Sequence, residues 1–176
     1  MSDYKKELIT SWHEKHSESI LKYILFKVRD YQQAEDLTQE TFIKAYIKFE
    51  TFKEYSSEKT WLFKIAHNLT VDYFRKQKPI IKLPEFLKTK EDYSPLPLEI
   101  IQLKENSMMV YQTINRLKES HKNVILLRKI KGFSIEDTAK ILNWTESKVK
   151  STLHRALPAL EKELKKEGYS YEKFSI

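Results

Sequence analysis

Proline divides this chain. Four of its five prolines, Pro79, Pro84, Pro95 and Pro97, fall within residues 79–97. Each ring removes a backbone donor, clashes with the preceding helical turn and biases the residue before it away from helix. The same stretch mixes charges with Ser and Thr, as linkers do. It separates an N-terminal unit, residues 1–78, from a C-terminal unit, residues 103–167, across a flexible Pro-rich linker, 79–102. A tail, 168–176, begins at Gly168, an expected helix stop. No sustained period-two alternation and no internal repeat is found, so the expected fold class is all-α, in two small helical domains.

Composition removes whole classes of function. Glycine occurs only at Gly132 and Gly168, and a phosphate-cradling loop or dinucleotide fold needs several glycines close together. Cysteine is absent, which excludes disulfides and thiolate metal sites and suits a reducing compartment. No run approaches the roughly 18 apolar residues of a membrane span, and the start of the chain leads into no apolar segment. The expectation is a soluble, cytoplasmic protein with no cofactor, no metal, no small-molecule substrate and no enzymatic activity. His13 and His16, three apart on a helix, lack a third ligand and read as surface histidines. Trp12, Trp61 and Trp144 read as core or interface residues.

The net charge of +7 is unevenly spread. Residues 61–90 carry seven basic and two acidic side chains (+5), and residues 121–150 carry seven and three (+4). Residues 31–60 carry four and six (−2), as do 91–120 with three and five (−2). Two basic blocks between acidic ones suggest two polyanion-binding surfaces; well-solvated Lys-rich helices are the plainer alternative.

The N-terminal unit reads as about four helices. One runs from near Asp3 to Glu18 or beyond, and the next carries Ile20, Ile24 and Val28. A polar break follows at Asp30–Gln33. The third helix, Ala34–Phe49, has Leu37, Phe42, Ala45 and Phe49 as core positions and Asp36, Gln39 and Glu40 as a polar patch. Residues 50–58 read as a loop. The fourth helix, Lys59–Gln77, places Leu62, Ile65, Ala66, Leu69 and Tyr73 on one face at 100° per residue, with Lys64, His67, Asn68, Val71, Arg75 and Lys78 opposite.

The C-terminal unit contains a helix-turn-helix pattern. Ser134 with Asp137 forms a capping-box-like pair, and Ile135, Ala139 and Leu142 form a buried stripe. Asn143 falls at the turn, where it tolerates the left-handed conformation. Thr145 caps a second helix held by Val149, Leu153 and Leu157. The small, turn and apolar residues, Ala139, Asn143 and Val149, have the spacing of a DNA-reading module. The outer face offers Lys148, Lys150, Ser151, His154 and Arg155. An ordinary helical hairpin with a basic side is the alternative.

Three segments in order carry a family resemblance: Ala34-Glu35-Asp36-Leu37-Thr38-Gln39-Glu40-Thr41-Phe42, then Trp61-Leu62-Phe63-Lys64-Ile65-Ala66-His67-Asn68 with Asp72-Tyr73-Phe74-Arg75, then the helix-turn-helix. Over about residues 5–165 the chain resembles an extracytoplasmic-function sigma factor, the smallest sigma-70-type subunit of bacterial RNA polymerase. Tyr55-Ser56-Ser57-Glu58-Lys59-Thr60-Trp61-Leu62 with Gly132-Phe133-Ser134 is similar to Bacillus-type cell-envelope-stress members.

The resemblance implies a transcription initiation factor that binds core polymerase and directs it to promoters. Asp36, Leu37, Gln39, Glu40 and Phe42 would dock on the clamp helices of the largest polymerase subunit. Tyr55, Ser56, Ser57, Glu58, Lys64, His67, Asn68 and Arg75 would hold the melted −10 element, the loop capturing a flipped base. Lys148, Lys150, Ser151, His154 and Arg155 would read the −35 element. An anti-sigma factor, often membrane-anchored, is the implied regulator. The rivals are a sigma-like decoy, which two retained basic faces argue against, and a stand-alone repressor, for which no dimer helix is evident.

Overall fold

The computed structural model describes residues 2–53, 55–77 and 105–169. The expected linker, 79–102, Lys78, and the tail beyond Tyr169 lie outside the described residues. The chain divides into two compact units, Met1–Ile101 and Gln102–Ile176. All regular elements among the described residues are helical.

The N-terminal unit packs three helices against one another: α1 (Ser2–Val28), α2 (Tyr31–Ile47) and α3 (Glu58–Gln77), with a 3-10 turn, Phe49–Thr51, after α2. The two helices expected before residue 28 are one. Ile9, Trp12, His16, Ile20, Tyr23 and Lys27 are all buried, and their three- and four-residue spacing is a single stripe that runs through the polar stretch at 17–19. No glycine or proline interrupts it. The break is also shorter than expected. Arg29 turns the chain at φ 58°, and Asp30 caps α2 by accepting a hydrogen bond from the Gln33 amide at 2.9 Å. Tyr31 is therefore already helical.

The buried arc of α3 is wider than one stripe, because α3 packs on both α1 and α2. Leu62, Ala66 and Leu69 are buried as expected, and Thr60, Phe63, His67 and Thr70 are buried with them. Ile65 and Tyr73 are only half-buried. The buried hydroxyls of Thr38, Thr41 and Thr70 each donate to the carbonyl four residues back at 2.7 Å, so they enter the core without an unpaired donor.

The C-terminal unit comprises α4 (Glu105–Arg116), α5 (Glu119–Ile125), a π-helical turn (Leu126–Ile130), α6 (Ile135–Leu142) and α7 (Glu146–Lys166). Its core is Ile114, Val124, Ile125, Leu126, Leu127, Ile141 and Val149, with at most 1% exposure each. The long α7 packs against α4, α5 and α6. It continues through Pro158, whose ring forfeits one main-chain hydrogen bond. Gly132 adopts φ 74° in the bend that leads to α6.

Candidate functional site

The helix-turn-helix closes by three local devices. The Ser134 hydroxyl accepts from the Asp137 amide at 3.0 Å and donates to its carboxylate at 2.9 Å. Asn143 ends α6 at φ 55°, ψ 45°, a backbone that L-residues other than Asn and Asp rarely enter. The Thr145 hydroxyl accepts from the Lys148 amide at 3.1 Å and starts α7. Upstream, Arg128 donates to the carbonyl of Phe133 and ties the π-helical turn to the approach to α6.

On α7, Val149, Thr152 and Ala156 turn inward. Leu153 and Leu157, expected to hold the helix, are half-buried. Lys148, Lys150, Ser151, His154 and Arg155 are all exposed, so the structure brings the expected set onto one outward stripe. The Lys148 ammonium rests 4.2 Å from the Trp144 ring centroid, and Arg155 Nε donates to the Ser151 carbonyl at 3.3 Å. The His121 pKa is lowered, first by burial and then by the nearby charges of Lys118 and Arg155. Lys118, the exposed residue that precedes α5, is a further cation of this unit that the sequence did not single out.

On α3, Lys64, Asn68 and Arg75 are exposed and spaced to share a face. Arg75 pairs with Asp72 at 2.6 Å. His67 departs from the expected face: it is 7% exposed, and its Nδ1 lies 2.9 Å from the Tyr23 hydroxyl. The reason is the wide contact of α3 with α1, which a single-stripe helical wheel does not anticipate. Asn68 lines a groove between α2 and α3 with Ile65, Leu69, Val71 and Asp72 of its own helix, and Lys44 and Lys48 supply the other side. Lys44 and Lys48 belong to a block of net negative charge and were hidden by that average.

The loop before α3 divides its roles. Tyr55 is 81% exposed. The Ser57 hydroxyl accepts from the Thr60 amide at 3.1 Å and donates to the Thr60 hydroxyl at 3.0 Å. The Glu58 carboxylate accepts from Lys15 Nζ at 2.8 Å and lies 3.3 Å from His16 Nε2. Its pKa is lowered to about 2, chiefly by the Lys15 hydrogen bond. His16, expected at the surface, is 6% exposed because it faces α3 across this contact. His13 is exposed and packs edge-on to Phe42. Among the described residues, no group of three or more acidic or His side chains is arranged to hold a metal.

On α2, Asp36, Gln39 and Glu40 are exposed. Leu37 and Phe42, at 7% and 6% exposure, are core residues and support that face from beneath. Ile43 and Ile47 continue the outer stripe at 58% and 67% exposure. A single helix that shows acidic groups followed by bare isoleucines is suited to a protein partner rather than to DNA.

Residues 12–80 match the Sigma-70 region 2 family, and residues 107–160 match Sigma-70, region 4. The chain is 37% identical over 157 residues to the ECF RNA polymerase sigma factor SigX of Bacillus subtilis (strain 168), spanning 86% of this chain and 81% of that protein. This chain belongs to the extracytoplasmic-function family of sigma-70-type RNA polymerase sigma factors. The RNA polymerase sigma factor YlaC of the same organism is 33% identical over 165 residues, covering 92% of this chain and 94% of that one. Among solved structures, the sigma factor RpoE in complex with the anti-sigma factor NepR, from Bartonella quintana, superposes with a TM-score of 0.66 at 25% identity, covering 94% of this chain and 98% of that one. CnrH, solved with the cytosolic domain of CnrY, has the same fold, with a TM-score of 0.68 at 19% identity over 91% and 89% of the two chains.

The sigma factor is a promoter-directing subunit of RNA polymerase, and sigma factors are not enzymes. Its two family regions do not favour the decoy or the lone repressor. No described helix is long and apolar enough to cross a membrane.

Proposed function

We propose that this sigma factor divides its work among three surfaces, with residues 1–78 acting as the region 2 domain and 103–167 as the region 4 domain. Asp36, Gln39 and Glu40, extended by Ile43 and Ile47, dock on the clamp helices of core polymerase. Tyr55 and Ser56 of the loop, with Lys64, Asn68 and Arg75 of α3 and Lys44 and Lys48 across the groove, hold the melted −10 strand. Cations can track its phosphates while an exposed aromatic ring stacks on a base. Lys148, Lys150, Ser151, His154 and Arg155 enter the major groove of the −35 element, with Arg155 or His154 at base edges and the lysines on phosphates. The protein works in the cytoplasm and has no catalytic role of its own.

The observation that carries this reading is the capped helix-turn-helix with five exposed polar or basic residues on one stripe of its second helix. In vitro transcription with core polymerase and a promoter library tests it: Arg155→Ala should cost about 1–3 kcal/mol and relax discrimination at one −35 position. Equal loss on specific and scrambled duplex would assign Arg155 to a phosphate instead. The likeness to RpoE, solved with the anti-sigma factor NepR, supports an anti-sigma partner here too. Such a partner would act by covering the two basic faces, with envelope stress as the releasing condition.

A further inference from the structure

The loop offered to the −10 strand is held at both ends by one face of α1, a helix to which no part in DNA recognition has been given. At the loop's entry, the Phe52 ring meets Trp12 edge-on, 5.2 Å between centroids. Just after its exit, Trp61 meets Phe52 in a tilted contact at 5.1 Å between centroids and Trp12 edge-on at 6.1 Å. One turn along α1 from Trp12 stand Lys15 and His16, and both reach Glu58, the first residue of α3. Trp12, Lys15 and His16 are three and four residues apart, so one helical face supplies the apolar platform and the polar clasp together. Ser57 is occupied in capping α3. Tyr55 and Ser56 remain between the two anchored ends.

Resting on the −10 reading above, we propose that Trp12, Lys15 and His16 are positioning residues for −10 recognition, and that Glu58 anchors the loop to α1 instead of touching a base. A loop whose ends are fixed during folding does not have to be ordered when the strand arrives, so its discrimination among bases is built in beforehand. The lysine has a second effect. A bare carboxylate beside the loop would repel the phosphates, and the Lys15 ammonium 2.8 Å away cancels that charge.

The test uses the full-length protein bound to core polymerase. The probe is the non-template −10 strand enriched by the wild type from a randomised pool, compared with its scrambled counterpart by fluorescence anisotropy. Lys15→Glu and Glu58→Lys should each lower the discrimination ratio by about fivefold to tenfold, and the double exchange should restore it to within about twofold, the signature of a pair acting through each other. Lys15→Ala, at a side chain 64% exposed and so harmless to the fold, should give a smaller loss of about threefold. Tyr55→Ala should lose discrimination with no rescue by either partner. A double exchange as poor as Glu58→Lys alone would overturn the proposal and make Glu58 a base contact. Single variants equal to the wild type would reduce the clasp to a solvated surface pair. If the wild type enriches no strand at all, the −10 reading itself fails.

Discussion

Asn143 shows how much one backbone angle decides. At φ 55° it closes α6, and its own amide and that of Trp144 bond back to the carbonyls of Lys140 and Ala139. Asn143→Ala should destabilise the C-terminal unit by about 1 kcal/mol in urea unfolding, whereas Asn143→Gly should be nearly neutral, because the penalty belongs to Cβ. The caps at Ser134 and Thr145 act at the same scale. Replacing either with Ala should cost about 1 kcal/mol by leaving a helical amide unpaired. These three residues were legible in the sequence because each acts on backbone within four positions of itself. The buried pair of Tyr23 and His67 was not legible. Its partners are 44 residues apart, and nothing local distinguishes this His from a solvated one.

At the scale of the element, α1 and α2 make different demands. The outer stripe of α2 leaves Ile43 and Ile47 uncovered while Leu37 and Phe42 fill the core. Ile43→Glu should therefore weaken binding to core polymerase in a pull-down while leaving the unfolding midpoint unchanged within error, since the side chain is already in water. The contact of α1 with the start of α3 is pH-sensitive. Burial is the main reason that the His16 pKa lies below its ordinary 6.5, with the Glu58 hydrogen bond opposing it and Lys15 and Lys59 adding to it. The unfolded chain then takes up the proton more readily, and stability declines as pH falls below 6.5. Glu58, held at about 2 against an ordinary 4.5, contributes stability that is complete above 4.5 and is lost as pH falls towards 2. Its partner Lys15 is exposed, so that second loss should be no more than about 1 kcal/mol. Urea titrations of the wild type and of His16→Gln at several pH values check this. In the N-terminal unit the variant should weaken the decline that begins near 6.5 and keep the lower one, while the C-terminal unit, where the His121 pKa is also lowered, keeps its own decline.

At the scale of the whole molecule, each unit has its own core, and destabilising one should spare the other. Ile20 has no exposure, and Ile20→Ala should cost the N-terminal unit about 2–5 kcal/mol. Binding of −35 duplex by the same chain should be unchanged, because α7 draws its support from α4, α5 and α6. Promoter binding by the polymerase-bound protein should fall steeply with salt, since cations from both units neutralise phosphates together. A shallow dependence in anisotropy titrations would mean that only one unit engages DNA.

What the amino-acid sequence by itself determined was everything with a short reach. The proline cluster set apart two units, 3.6-residue periodicity made them helical, and caps at Ser134 and Thr145 with a left-handed Asn143 specified the turn between α6 and α7. The outward stripe of α7 was readable for the same reason: one side of that helix is buried, so a single wheel sorts its faces. What only the tertiary structure decided was where one helix meets two. There α3 buries His67 and Phe63 beyond its apparent stripe, and Glu58 is taken up by Lys15 and His16. Each outcome depends on groups more than forty residues apart in sequence or on a helix's second neighbour, and neither leaves a local periodic trace.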